Sequence, residues 1–217
     1  MKQNEAEAFF EEYREHLKNE IVRFISYFKL YRTLHERKGN RINEINISPA
    51  FFQTIMDSFY SSIIIWTDKL LSPKSERGLW NFLSFIENNR KIFEIAELKR
   101  RRGYADGHWM LDRDAITFQT IEEDRKCILD LDSLESVKLR RDKFHAHFDK
   151  EYFFDRKKLG EDAPLNWHNF DKIFDLMKGI LNKYSASYDG NKYNLIPFNV
   201  GDVDRVFDIL HKYRTSS

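Results

Sequence analysis

Between Lys138 and Asp149 the chain reads Lys-Leu-Arg-Arg-Asp-Lys-Phe-His-Ala-His-Phe-Asp. His145 and His147 stand there beside the cations Lys138, Arg140, Arg141 and Lys143 and the carboxylates Asp142 and Asp149. Imidazole changes protonation near neutral pH and suits proton transfer. Guanidinium forks match anionic oxygens. Residue types alone support two plain readings. One is the charged C-terminal end of a helix, where cations and histidines complement the helix dipole. The other is a metal site, with the alternating His145, His147 and Asp149 turned to one ion. Spacing adds a constraint. On a straight α-helix of about 3.6 residues per turn, residues six apart lie about 120° from each other. Arg141 and His147 then do not share a face, whereas Arg141 with His145, or Arg140 with His147, do. A joint role for Arg141 and His147 requires the helix to end or bulge before His147, or a cleft between subunits that gathers residues from a wide arc.

The metal reading resembles the first half of the metallo-β-lactamase signature. That signature continues with a second His where this chain has Lys150, and its αββα fold needs strands and glycines that this composition does not offer. The stretch RDKFHAHFDKEYF instead resembles the HEPN superfamily, and within it the AbiU2-like group of bacterial proteins linked to phage defence. The HEPN motif is an Arg followed by a polar residue, with four to six positions before an obligate His. Arg141-Asp142 and then His147 satisfy it with five intervening residues. The stretch from Trp80 to Asn89 and the helix over 165–185 are also similar to that group, so the resemblance covers most of the chain.

The resemblance implies an all-α helical bundle of four to five main helices with a C-terminal helical extension. It implies a metal-independent endoribonuclease with no cofactor, serving phage defence or acting as a toxin. Such enzymes are usually homodimers whose motifs face each other across a cleft, and an antitoxin or other regulatory partner is compatible with that role. The RNA 2′-hydroxyl attacks the adjacent phosphate, with a base for the hydroxyl proton and an acid for the leaving 5′-oxygen. His147 would be the acid/base, Arg141 the phosphate clamp for charge gathering in the transition state, and Asp142 the group that orients Arg141 or the opposing motif. Arg140, His145, Lys143 and Lys138 would contact RNA. Arg101, with Arg100 and Arg102, would bind phosphates flanking the cut. The alternative is a non-catalytic HEPN module that binds RNA, a nucleotide or a partner protein.

The elements that must position this segment read as helices. Phe9, Phe10, Tyr13, Leu17, Ile21, Phe24, Ile25 and Phe28 recur at three- and four-residue spacing and predict one long helix over 3–37. Ser48 as cap and Pro49 at the first helical position start a second, with Phe51, Phe52, Ile55, Phe59, Ile63 and Trp66 central to the core; Ser72-Pro73 stops it. A third is expected from Ser75, interrupted near Asn88-Asn89, with a loop from Arg100 to about Asp112. A fourth runs from near Ala115 to the motif with a break near 130–133. Pro164 precedes a helix over 165–185, a small hairpin is expected around Asp189-Gly190, and a last helix covers 202–213.

Composition narrows the class. Few turns are expected from eight Gly and four Pro, and 41% hydrophobic residues supply a real core. One domain is expected over 1–217, with the bundle and motif in 1–150 and helices of 151–217 packed on it. The single cysteine, Cys127, excludes an intramolecular disulfide and fits a reducing cytosol. The acidic, amphipathic start is unlike a signal peptide, and the longest apolar run, Ile63 to Trp66, is too short to span a bilayer. A cytoplasmic protein, away from membranes, is expected. The net charge of +1 does not announce a nucleic-acid binder, yet cations cluster at Lys99–Arg102, at Lys138–Lys143 and at Arg156–Lys158.

Overall fold

The computed structural model describes residues 2–145 and 149–216. It is all-α, with no strand among the described residues. Helix α1, Gln3–Arg37, is a single unbroken rod of 35 residues. Its apolar stripe is the one the spacing predicts: Phe10, Tyr13, Leu17, Ile21, Phe24, Ile25 and Phe28 are all buried. On that rod pack α3 (Pro49–Leu71) and α10 (Trp167–Asp189). Helices α4 (Leu79–Asn88), α6 (Phe118–Leu129) and α7 (Leu134–Arg140) complete the main core through Phe82, Leu83, Ile121, Ile128 and Val137. Short α2 (Ile42–Ile45), α5 (Ile95–Arg102), α8 (Lys150–Phe154) and α9 (Arg156–Asp162), with the terminal α11 (Gly201–Ser216), decorate this frame.

Several expectations are corrected. Pro49 does open α3, but the Ser48 side chain makes no capping hydrogen bond. Only the C-terminal half of α3 is central. Ile63, Ile64, Leu70 and Leu71 enter the main core, while Phe51 is exposed and Phe52 belongs to a separate cluster with Leu34, Ile45 and Phe207. That cluster docks α11, whose Phe207 stacks on Phe52 at 5.4 Å. Around it Arg37 pairs with Asp204, Arg41 with Asp208, and His211 and Arg214 with the buried Glu44.

The third helix begins at Leu79 rather than Ser75, because the chain first crosses the end of α3 too closely for a helix. A Cβ on Gly78 would stand 2.6 Å from the Lys69 carbonyl oxygen and 2.8 Å from that of Leu70. The region expected to be a loop from Arg100 begins as the last turn of α5, which Gly103 closes at φ 67°. The break between α6 and α7 falls at 130–133 as expected. No hairpin forms at Asp189-Gly190. Gly190 caps α10 at φ 80°, and the Asp189 carboxylate accepts from the Asn191 backbone N–H. No described helix is long and apolar enough to cross a membrane.

Candidate functional site

Arg141 to His145 form a π-helical turn that continues α7. A π turn closes an i→i+5 hydrogen bond, so it needs an additional residue to come round to the same face, and such turns recur at functional sites. A wide turn thus falls within the stretch where an end or bulge is expected, and His147 itself lies outside the described residues. Buried Val137 anchors α7 from one side. From below, Leu139 and Phe144 pack on Tyr152, Leu159 and Ala163, so α8 and α9 buttress the turn. The two adjacent arginines part company here. Arg140 donates to the carbonyls of Ala163 (2.7 Å) and Leu159 (3.5 Å) at the end of α9, where a cation complements exposed carbonyls. Its guanidinium also lies 5.8 Å from the centre of the Tyr60 ring.

Arg141 is held between two carboxylates. One guanidinium nitrogen pairs with Asp68 of α3, while Nε and Nη2 both reach Asp142 Oδ1 at 2.6 Å. The Asp68 bond, followed by that to Asp142, raises the Arg141 pKa further above its ordinary value against the opposing effect of burial. A guanidinium offers five N–H donors. Among the described residues, Asp68 and Asp142 engage three of them. Asp68 is the functional residue that the linear sequence did not reveal. A signal existed: it lies four residues after Ile64 and three before Leu71, both fully buried, so its carboxylate falls on an apolar stripe and requires a partner.

His145 lies against Tyr60, ring centres 5.8 Å apart, and edge-on to Phe144 at 5.2 Å. Burial, reinforced by the Arg140 charge, lowers its pKa to about 4. Its Nε2 is buried with no hydrogen-bond partner. Lys143 pairs with Asp149 at 2.9 Å, and the Asp149 N–H donates to the Lys143 carbonyl at 3.0 Å. This double clasp joins Lys143 to Asp149, and Asp149 also caps α8. Among the described residues the Asp149 carboxylate is committed to Lys143 and to the Glu151 N–H, and the His145 imidazole faces Tyr60.

The outlying candidates separate. Lys138 is half exposed and touches only Glu135, at 3.5 Å. Arg101 is corrected: it is 10% exposed and spent on the fold, donating to Glu7, to the Tyr188 carbonyl and to the Ile92 carbonyl. Arg100 pairs with Glu7 and Glu97, and Arg102 with the Asp189 carbonyl and Asn191. The two basic regions also sit at opposite ends of α1. Arg101 is tied to Glu7, whereas the motif reaches α1 through Tyr60, whose ring lies 5.5 Å from Tyr31. Glu7 and Tyr31 are about 36 Å apart along an unbroken helix. Within one chain the Lys99–Arg102 run therefore does not flank the motif.

The HEPN_AbiU2 family model, described as AbiU2, matches residues 8–206. No curated protein and no solved structure matches the chain.

Proposed function

The chain belongs to the AbiU2 family of HEPN proteins, and from that premise we propose that it is a metal-independent endoribonuclease acting in phage defence or as a toxin. The observation that carries the reading is the fixed guanidinium. Arg141 is oriented by Asp68 and Asp142 at the head of a π turn, and among the described residues these two carboxylates take three of its five N–H donors. A pre-oriented cation of this kind stabilises charge gathering on phosphate oxygens without reorganising during the reaction.

In the reaction, the O2′–P bond forms as a base takes the 2′-hydroxyl proton. The P–O5′ bond breaks as an acid protonates the leaving oxygen. The products are a 2′,3′-cyclic phosphate and a 5′-hydroxyl. His145 is a poor acid for this chemistry, because a pKa near 4 leaves it neutral at working pH. The proton-transferring role falls to His147, and a homodimer with facing motifs supplies one His147 as base and the other as acid. Asp142 positions Arg141. Arg140, His145 and Tyr60 shape the wall beside it. Lys138 and Lys143 are about half exposed, with one carboxylate each. Solvent screens exposed pairs of this kind, so a phosphate displaces the carboxylate at little cost.

The test is cleavage of total cellular RNA by purified protein in EDTA, comparing wild type with His147→Ala and Arg141→Ala. Cleavage by wild type alone, with 2′,3′-cyclic phosphate ends, is expected. Equal cleavage by all three would overturn the assignment. RNA binding without cleavage in the wild type would move the chain to the class of non-catalytic modules. Toxicity on expression that His147→Ala abolishes is the cellular counterpart.

A further inference from the structure

A groove of about 880 Å³ lies along the C-terminal half of α10, under the segment 109–114. At its mouth is Trp109, 75% exposed on a 3-10 turn. An exposed indole is common on a protein surface; what sets this one apart is the stack that holds it and the mixed charge beneath it.

The ring is presented on a built platform. Tyr104 stacks on His108 at 4.1 Å and 5° between planes, and His108 in turn lies 5.8 Å and 26° from Trp109. His108 Nδ1 accepts from the Met110 backbone N–H and shapes the turn. Met110 sits where a Cβ on Gly190 would be, 2.7 Å from that position, so the turn docks on the bare cap of α10. Arg113 ties the other end by donating to the carbonyls of Ala186 and Ser187.

The groove floor carries both signs of charge. Among the described residues, the lining residues Lys178 and Lys192 make no ion pair, and neither do Asp112, Asp114 and Asp175. A simple anion would meet the carboxylates, and a simple cation the lysines. A nucleotide unit satisfies both: its base stacks on an indole, its phosphate takes a cation, and its exocyclic amine or ribose hydroxyls donate to a carboxylate.

We propose that this groove is a stacking subsite for single-stranded RNA, with Trp109 holding an unpaired base and Lys178 and Lys192 the adjoining phosphates. The motif lies toward the opposite end of α10, because Tyr31, next to Tyr60, also contacts Trp167 at 5.5 Å. The subsite thus grips the strand at a distance from the cut. The identity of the strand as RNA rests on the ribonuclease reading, but the site itself does not.

The test uses the full chain carrying Arg141→Ala, so that binding is read without turnover. A short labelled single-stranded RNA is titrated by anisotropy while tryptophan emission is followed. Saturable binding with quenching is expected. Trp109→Ala removes the quenching and weakens binding about 5- to 150-fold, the value of one stacked base. Trp109→Phe restores most of the affinity, and duplex RNA of the same sequence does not quench. Unchanged melting of Trp109→Ala shows that the fold is intact, as expected for an exposed side chain. Binding that ignores Trp109, or no binding at all, overturns the subsite. The ribonuclease reading fails separately, if Trp109-dependent binding is present and the wild type never cleaves.

Discussion

Asp68 carries the sharpest prediction. If it acts by holding Arg141, replacing it should lower the rate in proportion to the hold that is lost. The pair is partly shielded, with Asp68 18% and Arg141 26% exposed, so water screens it only in part. A hydrogen bond to a charged group contributes about 1.5–3 kcal/mol and a neutral one about half that. Asp68→Asn keeps an acceptor and loses the charge, which costs about 1 kcal/mol, or roughly fivefold in kcat. Asp68→Ala loses both, about 2–3 kcal/mol, or roughly 30- to 150-fold. Arg141→Ala removes the clamp and sets the floor, on the order of 100- to 1,000-fold. The expected order is wild type, then Asp68→Asn, then Asp68→Ala, then Arg141→Ala, with Asp68→Glu recovering part of the loss. Arginine stays charged throughout, so the pH profile should keep its shape while kcat falls. Single-turnover cleavage of a defined RNA, with melting curves for each variant, measures this. A kcat within twofold of wild type for Asp68→Ala, alongside a lowered Tm, would refute the positioning role. A loss well beyond that of Arg141→Ala would refute it from the other side, because Asp68 would then act on the substrate itself.

His145→Gln should cleave at near wild-type rate at pH 7, since an imidazole with a pKa of about 4 is a weak base and at that pH has no proton to donate. The same variant tests linkage. A folded-state pKa near 4, below the ordinary 6.5, means that the unfolded chain binds the proton more readily. Stability is therefore full above about pH 6.5 and declines as pH falls toward 4, and the variant should show a shallower decline in Tm across that window than wild type; equal slopes would contradict the burial. Gly78→Ala should cost about 1–3 kcal/mol, read by chemical denaturation, because its Cβ meets the Lys69 and Leu70 carbonyls and strains the buried Tyr13 Oη bond to the Gly78 carbonyl.

The frame was largely legible because it is written in periodicity. The apolar stripe of α1, Pro49 at the head of α3, the break at 130–133 and the long α10 all follow from neighbours three or four residues apart. The motif was legible as a pattern of types. Its geometry was not, because the decisive contacts join residues remote in sequence. Nothing local to Arg141 names Asp68 of α3. The run Lys99–Arg102 reads as a basic surface, yet its partners include Glu7, more than ninety residues earlier, and carbonyls at the end of α10. Asp149 and Asp155 cap α8 and α9 through their side chains. Their signals were present but overshadowed by the histidines beside them.

The π turn also bears on how such a motif tolerates insertion. In a regular helix, one added residue rotates everything beyond it by about 100° and turns a side chain from the cleft to the solvent. A segment that already accommodates a wide turn has a second choice. It can trade width for length, relaxing to an ordinary turn when a residue is lost and swelling when one is gained, while the faces on either side keep their phase. A single-residue deletion at Lys143, inside the wide turn, should therefore lower Tm less than the same deletion one turn earlier in α7.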